Sequence, residues 1–418
     1  MTLIERDVLD DSIAARKGVP QGHHLHTLLA SGGRVLERMF PGFREGLIAR
    51  GATPDDVAGA RYCIAGVRLA AARSELEVLR MSRPLLEGYI RERVLALPNV
   101  TLLNACNVIG LTVADDVVRG VRIVRRQLQL EQWLPSDLVV DATGRGSKLP
   151  IWLRDSGFEM PHEDRVRVDV GYTSCTYRRR PGQAGGRTGV LIGPAAPNTR
   201  CGVGAVMEGD RWIVSLVGYL GDHAPNDIDG LTVFARGLPQ PDLYQLLCEA
   251  EPLSRPIPAR FPYSQRRCYE RLRRFPQSLL AIGDALCSFN PMYAQGMSVA
   301  ALEAELLGRC LLQSYRGDQL RRAFFRGCSA IIETPWRLAV GGDLRFPAVQ
   351  GPRPLAARVR NAYLKRLARV AGEDPEVALA FLRVTNLVRP PASLFAPGVM
   401  RRVAAHAFAR RPPLRQLS

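Results

Sequence analysis

The 418-residue sequence is 46% hydrophobic and 23% charged, a balance that allows one large or two ordinary domains and excludes disordered, collagen-like and fibrous chains. No run approaches the ~18 uninterrupted apolar residues of a membrane-spanning helix, and Met1–Asp7 has neither the basic start nor the apolar core of a signal peptide, so a cytoplasmic protein is expected. The net charge of +17 is nearly all arginine, Lys17, Lys148 and Lys365 being the only lysines, and no zinc-finger, RNP-like or basic-zipper pattern accompanies it, so no nucleic-acid partner is expected.

In chain order, Met1–Asp7 reads as a short apolar strand whose tip carries Glu5. Asp10–Arg16 and Pro20–His26 read as loop. Leu28, Leu29, Val35, Leu36 and Met39 predict a helix over Thr27–Phe40, stopped by Pro41-Gly42. A second helix is predicted over Ser82–Leu97, with Ser82 as N-cap, Pro84 in the first turn and Leu85, Leu86, Tyr89, Ile90 and Val94 on one face. Val100–Leu103 reads as a strand. Val108–Val124 and Leu128–Leu134 alternate like an antiparallel hairpin or meander, and Asp137–Ala142 is the apolar run of a buried parallel strand. From about Arg165 to Val217 the period is two, with Gly and Pro punctuation, which predicts a separate multi-stranded sheet. Leu279–Ile282 reads as a second buried strand, followed by a helix over Met297–Leu312. From Gly317 the pattern is mostly helical, with proline breaks at 335, 347, 352, 354, 375, 390, 391 and 397.

The chemistry concentrates in Ala281-Ile282-Gly283-Asp284, continued through Pro291 to Gln295-Gly296-Met297-Ser298. A buried strand ending in Gly-Asp sets a carboxylate at the carboxyl edge of a sheet, where a ribityl or ribose hydroxyl can donate to it. The loop behind it delivers backbone N–H groups at the start of a long helix, which suits anionic or electron-rich ligand atoms. Gly-Asp alone fits an ordinary turn equally well; the continuation through Pro291, Gly296 and Met297 favours a ligand site. His23, His24 and His26 lack the remaining members of a ligand set, and the nine cysteines contain no C-x-x-C, so no metal site and no disulfide framework are expected.

The segment resembles the second FAD fingerprint of the flavin monooxygenases related to p-hydroxybenzoate hydroxylase. Its form, Cys287-x-Phe289-Asn290-Pro291-x-Tyr293-x-Gln295-Gly296-Met297, is most similar to a bacterial branch that resembles squalene and polyene epoxidases. Val19–His26, Phe40-Pro41-Gly42, Met81–Glu87, Asp141–Ser147 and Gly342–Pro347 look like the same branch, in order, so the resemblance spans essentially the whole chain. It implies an α/β fold: a Rossmann-like FAD-binding domain over residues 1–160 and 276–316, an inserted antiparallel-sheet substrate domain over 161–275, and a helical, basic region over 317–418. By the resemblance, Asp284 holds the FAD ribityl chain, Gly296 and Met297 face the flavin pyrimidine edge with Pro291 in the same cofactor-binding loop, Arg83 reaches the phosphate or ribityl region, and Glu5 grips the adenosine ribose. The histidine segment would lie beside the flavin ring. No catalytic residue is singled out.

Two departures stand against the family pattern. A dinucleotide fold opens with a strand, a G-x-G-x-x-G turn and a helix roughly 20 residues before the ribose-binding acid, whereas this sequence begins in the strand that carries Glu5. The expectation is that the first β-α unit lies upstream of a misassigned Met1, a natural fragment being the alternative, and that the chain as given retains FAD poorly. Thr143 also stands where the hydroxylases carry the Asp of an Asp-Gly pair, which weakens direct use of NADPH and leaves a separate reductase as an alternative electron donor.

The function implied is an FAD-dependent monooxygenase that transfers one oxygen atom of O2, through a C4a-hydroperoxyflavin, to an electron-rich alkene or aromatic ring of a small hydrophobic or aromatic molecule. The alternatives are a flavin-dependent reductase of isoprenoid double bonds and a non-catalytic remnant that binds no FAD. A halogenase is disfavoured because Trp133, Trp152, Trp212 and Trp336 are isolated. From Arg321 onward 18 basic residues face 5 acidic ones. Leu355, Val359, Tyr363 and Leu367 share a helical face there, so weak peripheral contact with an anionic membrane competes with a structural reading in which that face packs inward.

Overall fold

The computed structural model describes residues 1–10, 13–126, 130–351, 353 and 355–409. Strand β1 (Thr2–Ile4) runs parallel to Thr101–Leu103, and the ladder extends to Glu5, whose amide donates to the Leu103 carbonyl. Helix α1 (Ala30–Met39) starts later than its apolar pattern suggests, because Leu29 is extended and its amide is taken by the Ser298 hydroxyl rather than by a helical carbonyl. Gly42, at φ +77°, turns the chain after it. Helix α2 (Arg83–Leu95) is capped as expected: the Ser82 hydroxyl accepts the Leu85 amide at 3.2 Å, and Pro84 occupies the first turn, where a missing N–H costs nothing.

The meander is three strands, Cys106–Ala114, Val117–Arg125 and Leu130–Pro135. Ile4 and Leu103 pack on it from one side, and so does Val139 of strand β2 (Val139–Asp141). β2 is less enclosed than its apolar run suggests, with Val140 36% exposed. Its partner lies on one side only, and among the described residues no strand pairs the other edge of β1 or of β2.

The sheet of the middle region has eight strands. Strands β3 (Glu163–Arg178), β4 (Arg211–Gly218) and β5 (Ile257–Arg267) form its antiparallel centre, with β3 between the other two. Arg200–Met207 and Gly189–Ile192 continue it, and it recruits Arg61–Arg68 and Cys287–Ser288 from flanking sequence. Alternation divides its faces. Cys175, Tyr177, Val214 and Leu216 bury against two helices, Ile228–Arg236 and Asp242–Glu249, whereas Tyr172, Ser174 and Ser215 turn to the opposite face, where His24 meets them.

Strand β6 (Leu279–Ala281), fully buried, pairs in parallel with β2, Asp141 opposite Ala281. Helix α3 (Gly296–Leu312) follows and packs on helix α4 (Gly317–Asp343). Proline 335 does not break α4, contrary to expectation: the helix runs through it, since Phe324, Phe325, Cys328 and Ile332 before it and Trp336 after it are all held in the same core. Helix α5 (Leu355–Ala371) and the helices Pro375–Thr385 and Pro397–Ala409 form a satellite cluster in which Leu367 is buried and the Tyr363 hydroxyl donates to the Leu394 carbonyl at 2.7 Å. The side chains of Leu355 and Val359 lie outside the described residues. Among the described residues no helix is long and apolar enough to cross a membrane.

Candidate functional site

The site is built on the turn after β6. Gly283 adopts φ +64°, a left-handed conformation glycine takes without strain, and its amide donates to Glu303 Oε2 at 2.7 Å across the turn. Glu303 belongs to α3, so the same helix that begins beside the turn also fixes it. Asp284 is thereby placed against the first residue of α3: a methyl group on Gly296 would lie 3.7 Å from Asp284 Oδ1.

Among the described residues nothing hydrogen-bonds the Asp284 carboxylate. Burial raises its pKa, and the charges of Arg83 and Arg145 oppose that rise. Arg83, the first residue of α2, has a buried Nε with no hydrogen-bond partner, and burial lowers its pKa against the pull of Glu87 and Asp284. Folded proteins rarely leave such groups unsatisfied. An unbonded carboxylate and an unbonded guanidinium beside a helix N-terminus form an arrangement suited to a ligand carrying both hydroxyl and anionic groups.

Around these groups the backbone is held tightly. Glu303 is wholly buried, its Oε1 has no partner, and burial pushes its pKa up to about 8, so it is a neutral acid at pH 7. Ser298 ties α3 to α1 by accepting the Leu29 amide at 3.1 Å, and Gly32 lets the helices touch: a Cβ there would sit 2.6 Å from Ser298 Oγ. Met297 packs with Leu85 and Leu86 of α2. Pro291 opens a single tight turn, Pro291–Tyr293, anchored by Asn290. The Asn290 Oδ1 accepts the Met292 amide at 3.1 Å, while Nδ2 donates to the Tyr219 hydroxyl at 3.0 Å and to Asp343 Oδ1 at 2.9 Å. The Tyr293 hydroxyl donates to the same Asp343 oxygen at 3.1 Å. Asp343 ends α4, is fully buried, and is pushed up to about 7 by that burial.

Glu5 is already engaged. Its carboxylate accepts the Asp7 amide and Arg16 Nη1, each at 2.9 Å, and Arg16 continues to Glu87 of α2 at 2.6 Å. The structure therefore brings Arg83, Asp284 and Gly296 together, sets Pro291 and Met297 in the adjoining backbone, and links Glu5 to them through Arg16 and α2. His24 faces the sheet: Nδ1 lies 2.8 Å from Ser174 Oγ, itself 2.5 Å from Ser215 Oγ. Burial depresses the pKa of His24 to about 4, so the ring is neutral at pH 7. Thr143 is occupied by Asp141, to which its amide and hydroxyl donate at 2.9 and 2.6 Å.

Arg16, Arg145, Glu303 and Asp343 were not singled out by sequence as site residues. Arg145 and Asp343 sit in family-like motifs, which was the available signal, and Glu303 lies two turns into a helix whose start was identified, on its buried side. Arg16 lies in a loop with no pattern.

No family model matches the chain. Solved structures of flavin-dependent enzymes share its fold: the flavin-dependent brominase Bmp2 superposes with a TM-score of 0.65 over 98% of this chain and 93% of its own, at 13% identity. The p-nitrophenol 4-monooxygenase PnpA of Pseudomonas putida DLL-E4 gives 0.62 over 93% and 92%, at 16% identity. PqsL of Pseudomonas aeruginosa, a probable FAD-dependent monooxygenase, gives 0.62 over 82% and 89%, at 15% identity. In sequence, an alignment of 426 positions that covers 97% of the chain and 88% of Protein Rv3254 of Mycobacterium tuberculosis is 30% identical. The chain belongs to the family of that mycobacterial protein.

Proposed function

We propose that the chain is an FAD-dependent monooxygenase that inserts one oxygen atom of O2 into an electron-rich alkene or aromatic ring of a small molecule. The observation that carries this reading is the unbonded Asp284 carboxylate at the carboxyl end of β6, beside the start of α3, in a fold shared with flavin-dependent enzymes. Asp284 would hold the ribityl hydroxyls, Arg83 the anionic part of the cofactor, the Gly296 and Met297 backbone the polar edge of the ring, and Glu5 the adenosine ribose. When bound, FAD supplies electron transfer and oxygen activation.

The chain's own residues supply position and exclusion of water. The Pro291–Tyr293 turn, locked by Asn290, Tyr219 and Asp343, forms a fixed wall rather than a loose loop. His24, neutral and bonded to Ser174, adds no charge to the face of the sheet that it meets. NADPH, directly or through a separate reductase, is the electron donor in this reading, with a small hydrophobic or aromatic substrate.

Titration of the purified chain with FAD, followed by flavin fluorescence, tests the first step; the expected result is saturable quenching that weakens in D284A. Mass analysis of products formed under labelled O2 tests the second. A reductase of isoprenoid double bonds gives reduced product without label, and a halogenase gives bromide incorporation, a relevant arm because a brominase shares the fold. No quenching at any FAD concentration would sink the flavin reading.

A further inference from the structure

We propose that Arg145 is the anchor for a carboxylate on the substrate, so that this chain acts on small apolar or aromatic acids; that it contacts substrate rests on the flavin reading above. The loop carrying Arg145 is rigid. Asp141 accepts the Thr143 amide and hydroxyl and, at 2.5 Å, the Ser147 hydroxyl, which closes the loop on both sides of Arg145. Arg267, paired with Glu163 at 2.9 Å, donates to the Arg145 carbonyl at 3.2 Å.

The side chain is rigid as well. Its guanidinium carbon lies 4.4 Å from the ring centres of both Phe261 and Tyr263, and Nη2 donates to the Tyr263 carbonyl at 3.0 Å. Nε and Nη1 have no partner among the described residues. Its charge is felt by Asp284 and by Tyr172, which lies on the face of the eight-stranded sheet opposite its two helices. Arg145 lies on strand β5 through Phe261, a member of the apolar cluster that Tyr172 and Met292 adjoin, and its charge reaches the proposed cofactor carboxylate.

Most arginines stacked on rings in this molecule hold an anion; among the described residues Arg145 does not, nor do Arg93 and Arg236, which bond tyrosine hydroxyls instead. Arg50, Arg200 and Arg274 are also stacked on aromatic rings, and each holds a carboxylate, Glu92 at 2.7 Å, Asp222 at 2.9 Å and Asp116 at 3.0 Å. Asp284 feels the charge of Arg145, and Asp284 is shared with Arg83. Tyr172, with its pKa raised by burial, and His24, depressed to about 4, are both neutral at pH 7. Whichever Nη2 hydrogen goes to the Tyr263 carbonyl, the other forms a planar fork with Nε or with Nη1, and such a preoriented fork matches a carboxylate better than any neutral polar group.

The test uses matched acids and amides as probes: benzoate with benzamide, 2-naphthoate with 2-naphthamide, and octanoate with octanamide. Binding to the full chain is followed by calorimetry with and without FAD. The expected result is at least a tenfold preference for the acid in one or more pairs, weakened by salt, abolished in R145Q and partly kept in R145K, which retains charge but not the fork. Thermal midpoints of both variants establish that they are folded; if R145Q does not fold, R145K carries the test through its reduced preference. Equal affinity for acid and amide in every pair, or an undiminished preference in the folded variant, overturns the proposal. An acid preference that depends on Arg145 in a chain showing no FAD binding would leave the anchor standing and the flavin reading refuted.

Discussion

Replacing Glu303 by glutamine should stabilise the protein, and only above pH 5. The buried acid is neutral at pH 7, and its pKa rises from an ordinary 4.5 to about 8, chiefly because the side chain is out of water. A group raised in this way holds a proton that the unfolded chain releases, so stability is greatest below about 4.5, falls as pH rises to about 8, and is flat beyond. At about 1.4 kcal/mol per unit the full loss is of order 5 kcal/mol, of which about 3 is spent by pH 7. Glutamine has the shape of the neutral acid, and its carbonyl oxygen can accept the Gly283 amide as Glu303 Oε2 does, at 2.7 Å. Urea unfolding at pH 5, 7 and 9 is the assay. The variant should match the wild type at pH 5 and exceed it by a few kcal/mol at pH 9, read as a difference because other groups titrate in both proteins. A gap that does not change with pH, or a variant less stable at pH 9, would refute the reasoning.

Asp284→Ala should weaken FAD binding by roughly 1–3 kcal/mol, measured by fluorescence quenching, because ribityl hydroxyls lose a buried acceptor. Glu5→Ala should cost less in the same titration, since that carboxylate already serves Arg16 at 2.9 Å; an equal or larger loss contradicts the assignment. Gly32→Ala should lower stability by about 1–3 kcal/mol in thermal unfolding, because its Cβ would press on Ser298 backbone at 2.9 Å and cannot be accommodated without separating α1 from α3. Asp343→Asn, which removes a group raised from 3.8 to about 7, should flatten the pH dependence of stability between those values.

The parts of the fold written in local chemistry were legible. Ser82 and Pro84 announced the start of α2, and Gly283 with Gly296 announced the turn and helix that carry Asp284. Pro335 misled because proline's local cost was weighed alone; in α4 it is buried, and the side chains on both sides of it pack in the core. The start of α1 was missed for a similar reason, since the acceptor for the Leu29 amide, Ser298, lies 269 residues away. Arg145 was visible as a letter in a motif. Its stacking on Phe261 and Tyr263 depends on which strand of the sheet ends up beneath it, and no spacing in the sequence encodes that.

The two buried acids, Glu303 and Asp343, share a physical role that explains why they are acids without counter-charges. Each holds backbone or loop in place as a hydrogen-bond acceptor, Glu303 the Gly283 turn and Asp343 the Asn290 and Tyr293 side chains. A fixed negative charge at Glu303 would act on Asp284, whose pKa is already raised by burial. Kept neutral, Glu303 fixes the turn without adding to that charge, and Asp284 faces Arg83 and Arg145, Arg83 also feeling Glu87 and Arg16. The site then presents one strong acceptor beside two guanidinium groups, the combination that binds hydroxyl groups and anions together. Above about pH 8 Glu303 ionises and adds a negative charge that acts on Asp284, so affinity for an anionic ligand at this site should decline there even while the fold persists.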